Sequence, residues 1–127
     1  MAMKKILVVD DSVINLKMAE KVLKLNEDYK PVLFPSGSRA MKFLSANVPD
    51  MILLDVLMPE MDGFAVLAAI QEKPELDNVP VVFLTADEDP ETAARAKAAG
   101  VKAFIKKPFA KQDLLDEVAK YLAEGDN

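Results

Sequence analysis

Two adjacent carboxylates, Asp10 and Asp11, stand where the apolar run Ile6-Leu7-Val8-Val9 ends, and a third, Asp55, closes Met51-Ile52-Leu53-Leu54. Thr85 closes Val81-Val82-Phe83-Leu84, and Lys107 follows Ala103-Phe104-Ile105-Lys106. If these runs are neighbouring strands, their polar ends converge. Two carboxylates ~4 Å apart repel by about 4 kcal/mol at an effective dielectric of ~20, so a cluster of three favours a cation. Carboxylate oxygens select a hard ion, Mg2+ or Mn2+ as its substitute, and the chain has no His and no Cys to offer a softer site. Lys107 adds a compact ammonium and Thr85 a hydroxyl donor. Dication, ammonium and hydroxyl around a carboxylate form a cradle for a phosphoryl group, whose transfer depends largely on positioning and neutralisation of its oxygens. Asp55, ionised at neutral pH, would attack phosphorus without a general base and carry the group as an aspartyl phosphate.

Each residue alone has a plainer reading. Asp10 and Asp11 could cap the helix that follows, Asp55 could be a loop acid before the Met58-Pro59 turn, Thr85 an ordinary strand residue, and Lys107 a solvated surface charge. Four strand ends agreeing at one edge is what weighs against those readings.

The elements that would position these groups alternate. Continuously apolar runs at 5–9, 31–34, 51–54, 81–84 and 102–105 read as strands covered on both faces. Helix-length segments lie between and after them. Residues 12–25 place Ile14, Met18, Val22 and Leu25 on one stripe, expected to face the sheet. A short helix is expected over 37–46, and a third over 63–72 carries Phe64, Leu67 and Ile70 with Pro74 beyond its end. The Ala-rich segment 90–99 stops at Gly100. The last helix, 109–123, carries Leu114, Leu115, Val118 and Leu122 on one stripe, ending at Gly125. Five β-α units imply a parallel, doubly wound α/β sheet, in which ligands bind outside the carboxyl ends of the strands. The expectation is one domain over 1–127, with a core at about 4–123.

Composition narrows the function classes. The 127 residues are 51% hydrophobic, a globular composition, and the formal net charge is −5. That balance argues against nucleic acid or an anionic membrane as a direct partner. Only four apolar residues follow the basic N-terminus before Asp10, too few for a secretory h-region, and no run approaches a membrane span. The reading is of a soluble, cytoplasmic protein. No Gly-rich phosphate loop follows the first strand, which disfavours a nucleotide binder. Asp55 is followed by Val56-Leu57 rather than by a second acid, which disfavours an aspartyl phosphatase.

The stretches "ILVVDDS", "DMILLDVLMPEMDGF", "PVVFLTA" and "AFIKKPF" occur in the order and spacing of one family, and over essentially its whole length the chain resembles the receiver domain of two-component response regulators. The resemblance implies a flavodoxin-like (βα)5 fold with strand order 2-1-3-4-5. It implies that Asp55 is the phosphoacceptor and that Asp10, Asp11, Asp55 and the backbone carbonyl of Leu57 bind Mg2+. Thr85 corresponds to the switch hydroxyl, Phe104 to the switch aromatic, and Lys107 to the phosphoryl-contacting lysine, with a cis bond to Pro108. Strand alternation and the following Pro favour Lys107 over its neighbour Lys106. Leu57 and Asp87 occupy positions that tune phosphoryl lifetime. Leu57 cannot hydrogen-bond an attacking water, whereas Asp87 could orient that water or repel the phosphoryl group.

With no His in the chain, the implied donor is a phosphohistidine on a sensor histidine kinase or a histidine phosphotransfer protein, docking on the first helix and the loop after Lys107. With no effector domain in the chain, the implied output is a changed binding surface for a downstream protein, formed by helix 90–99, strand 102–105 and helix 109–123. Such a protein catalyses only its own phosphorylation and dephosphorylation. Two alternatives share the fold: a receiver excised from a longer multidomain regulator, and a scaffold that works without phosphorylation.

Overall fold

The computed structural model describes residues 3–86 and 89–125. Five parallel strands, β1 (Lys4–Val9), β2 (Tyr29–Phe34), β3 (Met51–Asp55), β4 (Val81–Thr85) and β5 (Ala103–Lys106), lie in the order β2-β1-β3-β4-β5. Five helices connect and follow them: α1 (Val13–Leu23), α2 (Gly37–Leu44), α3 (Gly63–Gln71), α4 (Pro90–Ala98) and α5 (Lys111–Gly125). A single 3-10 turn at Pro74–Leu76, missing from the sequence reading, leads into β4.

Side-chain alternation along the strands splits the core in two. Leu7, Val9, Ile52, Leu54 and Phe83 point to the layer holding Ala40 and Leu44 of α2, Val66, Leu67 and Ile70 of α3, and Ala96 of α4. Ile6, Val8, Leu53, Val82, Leu84 and Ile105 point to the layer holding Leu16, Ala19 and Leu23 of α1 and Leu114, Val118, Tyr121 and Leu122 of α5. The central strands β3 and β4 are buried throughout, as their unbroken apolar runs predict. The expectation fails for the two edge strands: β2 is half-buried or exposed along its whole length, and on β5 only Ile105 is buried.

Caps written into the sequence fix where helices begin. The Ser12 hydroxyl accepts from the Asn15 N–H at 3.3 Å, and the Asp62 carboxylate accepts from the Ala65 N–H at 2.9 Å. Helix α4 starts on Asp89-Pro90 and stops at Gly100, whose φ of 96° suits glycine.

One helix face differs from the sequence reading. On α1, Ile14 is 71% exposed and Met18 is exposed too, Leu25 lies past the helix end and is 59% exposed, and Leu16, Ala19 and Leu23 face the sheet instead. The helix carries two apolar stripes at helical spacing, and periodicity does not say which one meets the core. On α5 the expected Leu114, Val118 and Leu122 are buried, Tyr121 joins them, and Leu115 is half-buried at the margin of the stripe.

Candidate functional site

The carboxyl ends of β1, β3, β4 and β5 bring the sequence-predicted residues together. Asp10 follows β1, Asp55 ends β3 and Lys107 follows β5, and all three continue the alternation that points Val8, Leu53 and Ile105 toward α1 and α5. The same parity turns Lys106 away. Lys106 is exposed, and it is Lys107 that reaches inward.

The Lys107 Nζ lies 3.1 Å from Asp10 Oδ2 and 3.0 Å from Asp55 Oδ1. Asp10 is fully buried and Asp55 is 3% exposed. The second oxygen of Asp10 accepts the Ser12 N–H at 2.9 Å, so the start of α1 orients the carboxylate beside it. Asp11 is exposed at the rim, and one carboxylate oxygen from each of Asp10, Asp11 and Asp55 lies within 4.8 Å of the others. Thr85 is buried at the end of β4, in register with Lys106. The Lys107-Pro108 bond is cis, as expected.

The electrostatics are unbalanced. Three carboxylates face one ammonium. Burial pushes the Asp55 carboxyl up to about 6; hydrogen bonding and charge from Lys107 pull it down, while the Asp10 charge and an Asp11 hydrogen bond push it up again. Lys107 is raised as well, here in favour of its charged form. Burial alone would lower it, but its bonds to Asp10 and Asp55 and their charges outweigh that and raise it. All donors in the cluster are hard oxygens, the set that suits Mg2+, and a dication would offset the excess negative charge of the three carboxylates.

The chain is similar to proteins of known family. The model of the response regulator receiver domain matches residues 6–119. The chain belongs to this family. It is 26% identical over 121 residues to the polar-differentiation response regulator DivK of Brucella ovis, covering 95% of this chain and 98% of DivK. It is 34% identical over 111 residues to the two-component response regulator ORR3 of Oryza sativa subsp. indica, covering 86% of this chain and 83% of ORR3. Among solved structures, the chemotaxis protein CheY4 of Vibrio cholerae superposes with a TM-score of 0.88 at 30% identity, covering 94% of this chain and 99% of that one. Phosphoryl-transfer switching is the general function of receiver domains. They act as phosphoacceptors, interact with histidine kinases and downstream targets in two-component signalling, and typically bind Mg2+, which the cluster of Asp10, Asp11 and Asp55 could hold.

Two of the remaining predicted residues, Leu57 and Phe104, lie among the described residues. Leu57 is 65% exposed in the loop just after β3. Phe104, half-buried on β5, packs toward the α2–α4 layer, its ring 6.0 Å from that of Phe83. Asp87 lies outside the described residues. None of the helices is long and apolar enough to cross a membrane among the described residues.

Sequence reasoning missed one positioning residue. A Cβ on Gly63 would stand 2.6 Å from the Asp55 carbonyl oxygen and 2.8 Å from the Val56 Cα, both backbone, and the Gly63 N–H donates to the Val56 carbonyl at 2.8 Å. Glycine there lets the start of α3 sit against the strand end that carries Asp55. The available signal was Asp62-Gly63 ahead of an apolar run, which reads as a helix start but not as a close approach.

Proposed function

We propose that this chain is a phosphorylation-dependent signalling switch whose phosphoacceptor is Asp55. The observation that carries the reading is the excess of buried carboxylate over ammonium at the strand ends, with Asp55 and Asp10 sharing Lys107. A carboxylate oxygen of Asp55 forms a bond to phosphorus as the phosphorus–nitrogen bond of a partner's phosphohistidine breaks. The electron pair stays on the imidazole nitrogen, which takes a proton from solvent. Asp10, Asp11, Asp55 and the Leu57 carbonyl would hold Mg2+, which when bound supplies neutralisation of the phosphoryl oxygens. Lys107 pairs with a phosphoryl oxygen in place of Asp55, and Thr85 donates its hydroxyl to another. Leu57 and Asp87 set how readily water reaches the phosphoryl group.

The donor is a sensor histidine kinase or a histidine phosphotransfer protein, acting with this chain in the cytoplasm. Its docking surface is apolar: Val13, Ile14 and Met18 on α1 and Leu57 beside the site are all exposed. Phosphorylation replaces the single charge of the Asp55 carboxylate with a phosphoryl group of nearly two negative charges, and adds three acceptor oxygens. Drawing Thr85 and Phe104 inward shifts the population of the face formed by α4, β5 and α5, which binds a downstream protein rather than nucleic acid.

Intact-mass spectrometry of the protein and of Asp55→Asn, each incubated with acetyl phosphate with and without Mg2+, tests the chemistry. One phosphoryl adduct that requires both Mg2+ and Asp55 is the expected result. No adduct from acetyl phosphate or from a phosphohistidine donor, beside a working receiver, would leave a phosphorylation-independent scaffold.

A further inference from the structure

Helix α4 is held differently from the other four. Ala96 is its one buried residue, whereas α1, α2, α3 and α5 each bury three or more. With so little apolar burial, specific contacts must place it, and two of them reach α3. The Arg95 guanidinium lies 3.9 Å from the centre of the Phe64 ring near the start of α3. The Gln71 side-chain amide at the end of α3 donates to the Ala99 carbonyl at 2.5 Å.

The first contact leads onward into the sheet. Phe64 meets Phe83 of β4 edge-to-face, with centroids 5.2 Å apart at 88°. Phe83 meets Phe104 of β5 at 6.0 Å and 70°, and the two are register partners. One cation therefore caps a continuous series of three rings that ends on the aromatic of β5. Arg95 is exposed and forms no salt bridge among the described residues, so the ring is its partner. A guanidinium plane stacks on an aromatic face, which an ammonium does less well.

We propose that Arg95 is a latch that holds α4 against α3 in the unphosphorylated protein and so sets how easily Phe104 leaves its half-buried position. This rests on the reading that phosphorylation of Asp55 moves Phe104 and α4. Arg95 is a positioning residue and touches no reacting atom. A contact made only in the resting state lowers the apparent affinity for whatever favours the other state. Its loss therefore tightens phosphoryl binding, whereas plain destabilisation of the fold would weaken it. An exposed cation–π contact corresponds to a shift of about 2–5-fold.

The test uses beryllium fluoride with Mg2+ as a mimic of the phosphoryl group, titrated into the wild type, Arg95→Ala, Arg95→Lys, Phe64→Leu and the Arg95→Ala/Phe64→Leu double variant. Arg95→Ala and Phe64→Leu should each tighten binding about 2–5-fold. The double variant should gain no more than either alone, and Arg95→Lys should lie between wild type and Arg95→Ala. Unchanged or weaker binding in Arg95→Ala, or additive effects in the double variant, overturns the latch. Amide hydrogen exchange over 90–98 in the metal-free, unphosphorylated proteins reads the latch without Asp55 chemistry, and protection should fall in both single variants. If protection falls but the wild type binds no mimic, the phosphorylation reading fails and the α3–α4 latch stands. If protection in Arg95→Ala equals that of the wild type, the latch fails whatever the mimic does.

Discussion

At the carboxyl edge of the sheet, Asp10 and Asp55 are buried with one shared lysine within 3.1 Å of each. At the amino edge of the same strands, polar groups close backbone bonds at the surface. Asp50 accepts the Lys5 N–H at 2.8 Å, its own N–H donates to the Lys5 carbonyl at 2.8 Å, and the Lys4 N–H donates to the Asp28 carbonyl at 2.7 Å. The amino edge is satisfied as it stands. The cluster at the carboxyl edge brings three carboxylates around the Lys107 ammonium, so its energy depends on what else is present. This receiver domain holds its unbalanced charge at one end of the sheet and its structural closure at the other.

The sharpest break of that comparison is Lys107→Met. It leaves two buried carboxylates with no cation, and loss of one partner from such a group costs about 3–5 kcal/mol. Denaturant unfolding at neutral pH in EDTA should show that loss, easing as acid protonates Asp55. A loss under about 1 kcal/mol would mean that the pair is screened like a surface bridge.

Next comes the pH dependence of Asp55. Its folded-state carboxyl is raised to about 6, so between the ordinary carboxylate range and pH 6 the native state binds more protons than the unfolded state. This group therefore lowers stability as pH rises through that window, by about 3 kcal/mol once both states are ionised. In metal-free protein, Asp55→Asn should gain that much relative to wild type at neutral pH and almost nothing at pH 4. An equal gain at both pH values would sink the assignment.

Mg2+ should act in the same direction on the wild type. At ten times its Kd it adds about 1.4 kcal/mol, seen as a rise in Tm that is reduced in Asp11→Ala. The smallest effect is expected at the other edge. Asp50→Ala removes an exposed acceptor and should cost about 0.5–1 kcal/mol, with no dependence on Mg2+.

Much of this molecule was legible in its residues. Apolar runs ending in Asp10-Asp11, Asp55, Thr85 and Lys107 marked the strands and the edge where they converge. Alternation already separated Lys107 from Lys106, because the period of two along a strand is a local property. The Lys107-Pro108 bond and the strand order followed from the family resemblance, and the structure agrees with both.

The sequence by itself determined the alternation of strands and helices, the chemical types at the strand ends, and the helix starts and stops at Ser12, Asp62, Pro90 and Gly100. Those are signals carried within a few residues. The tertiary structure alone decided which stripe of α1 meets the sheet, since Ile14-Met18-Val22-Leu25 and Leu16-Ala19-Leu23 both have helical spacing and only the rotation of the docked helix chooses between them. It alone put Gly63 against the Asp55 backbone, and Arg95, Phe64, Phe83 and Phe104 in one line across four elements. Contacts between residues distant in the chain depend on how whole elements pack, and no local periodicity encodes them.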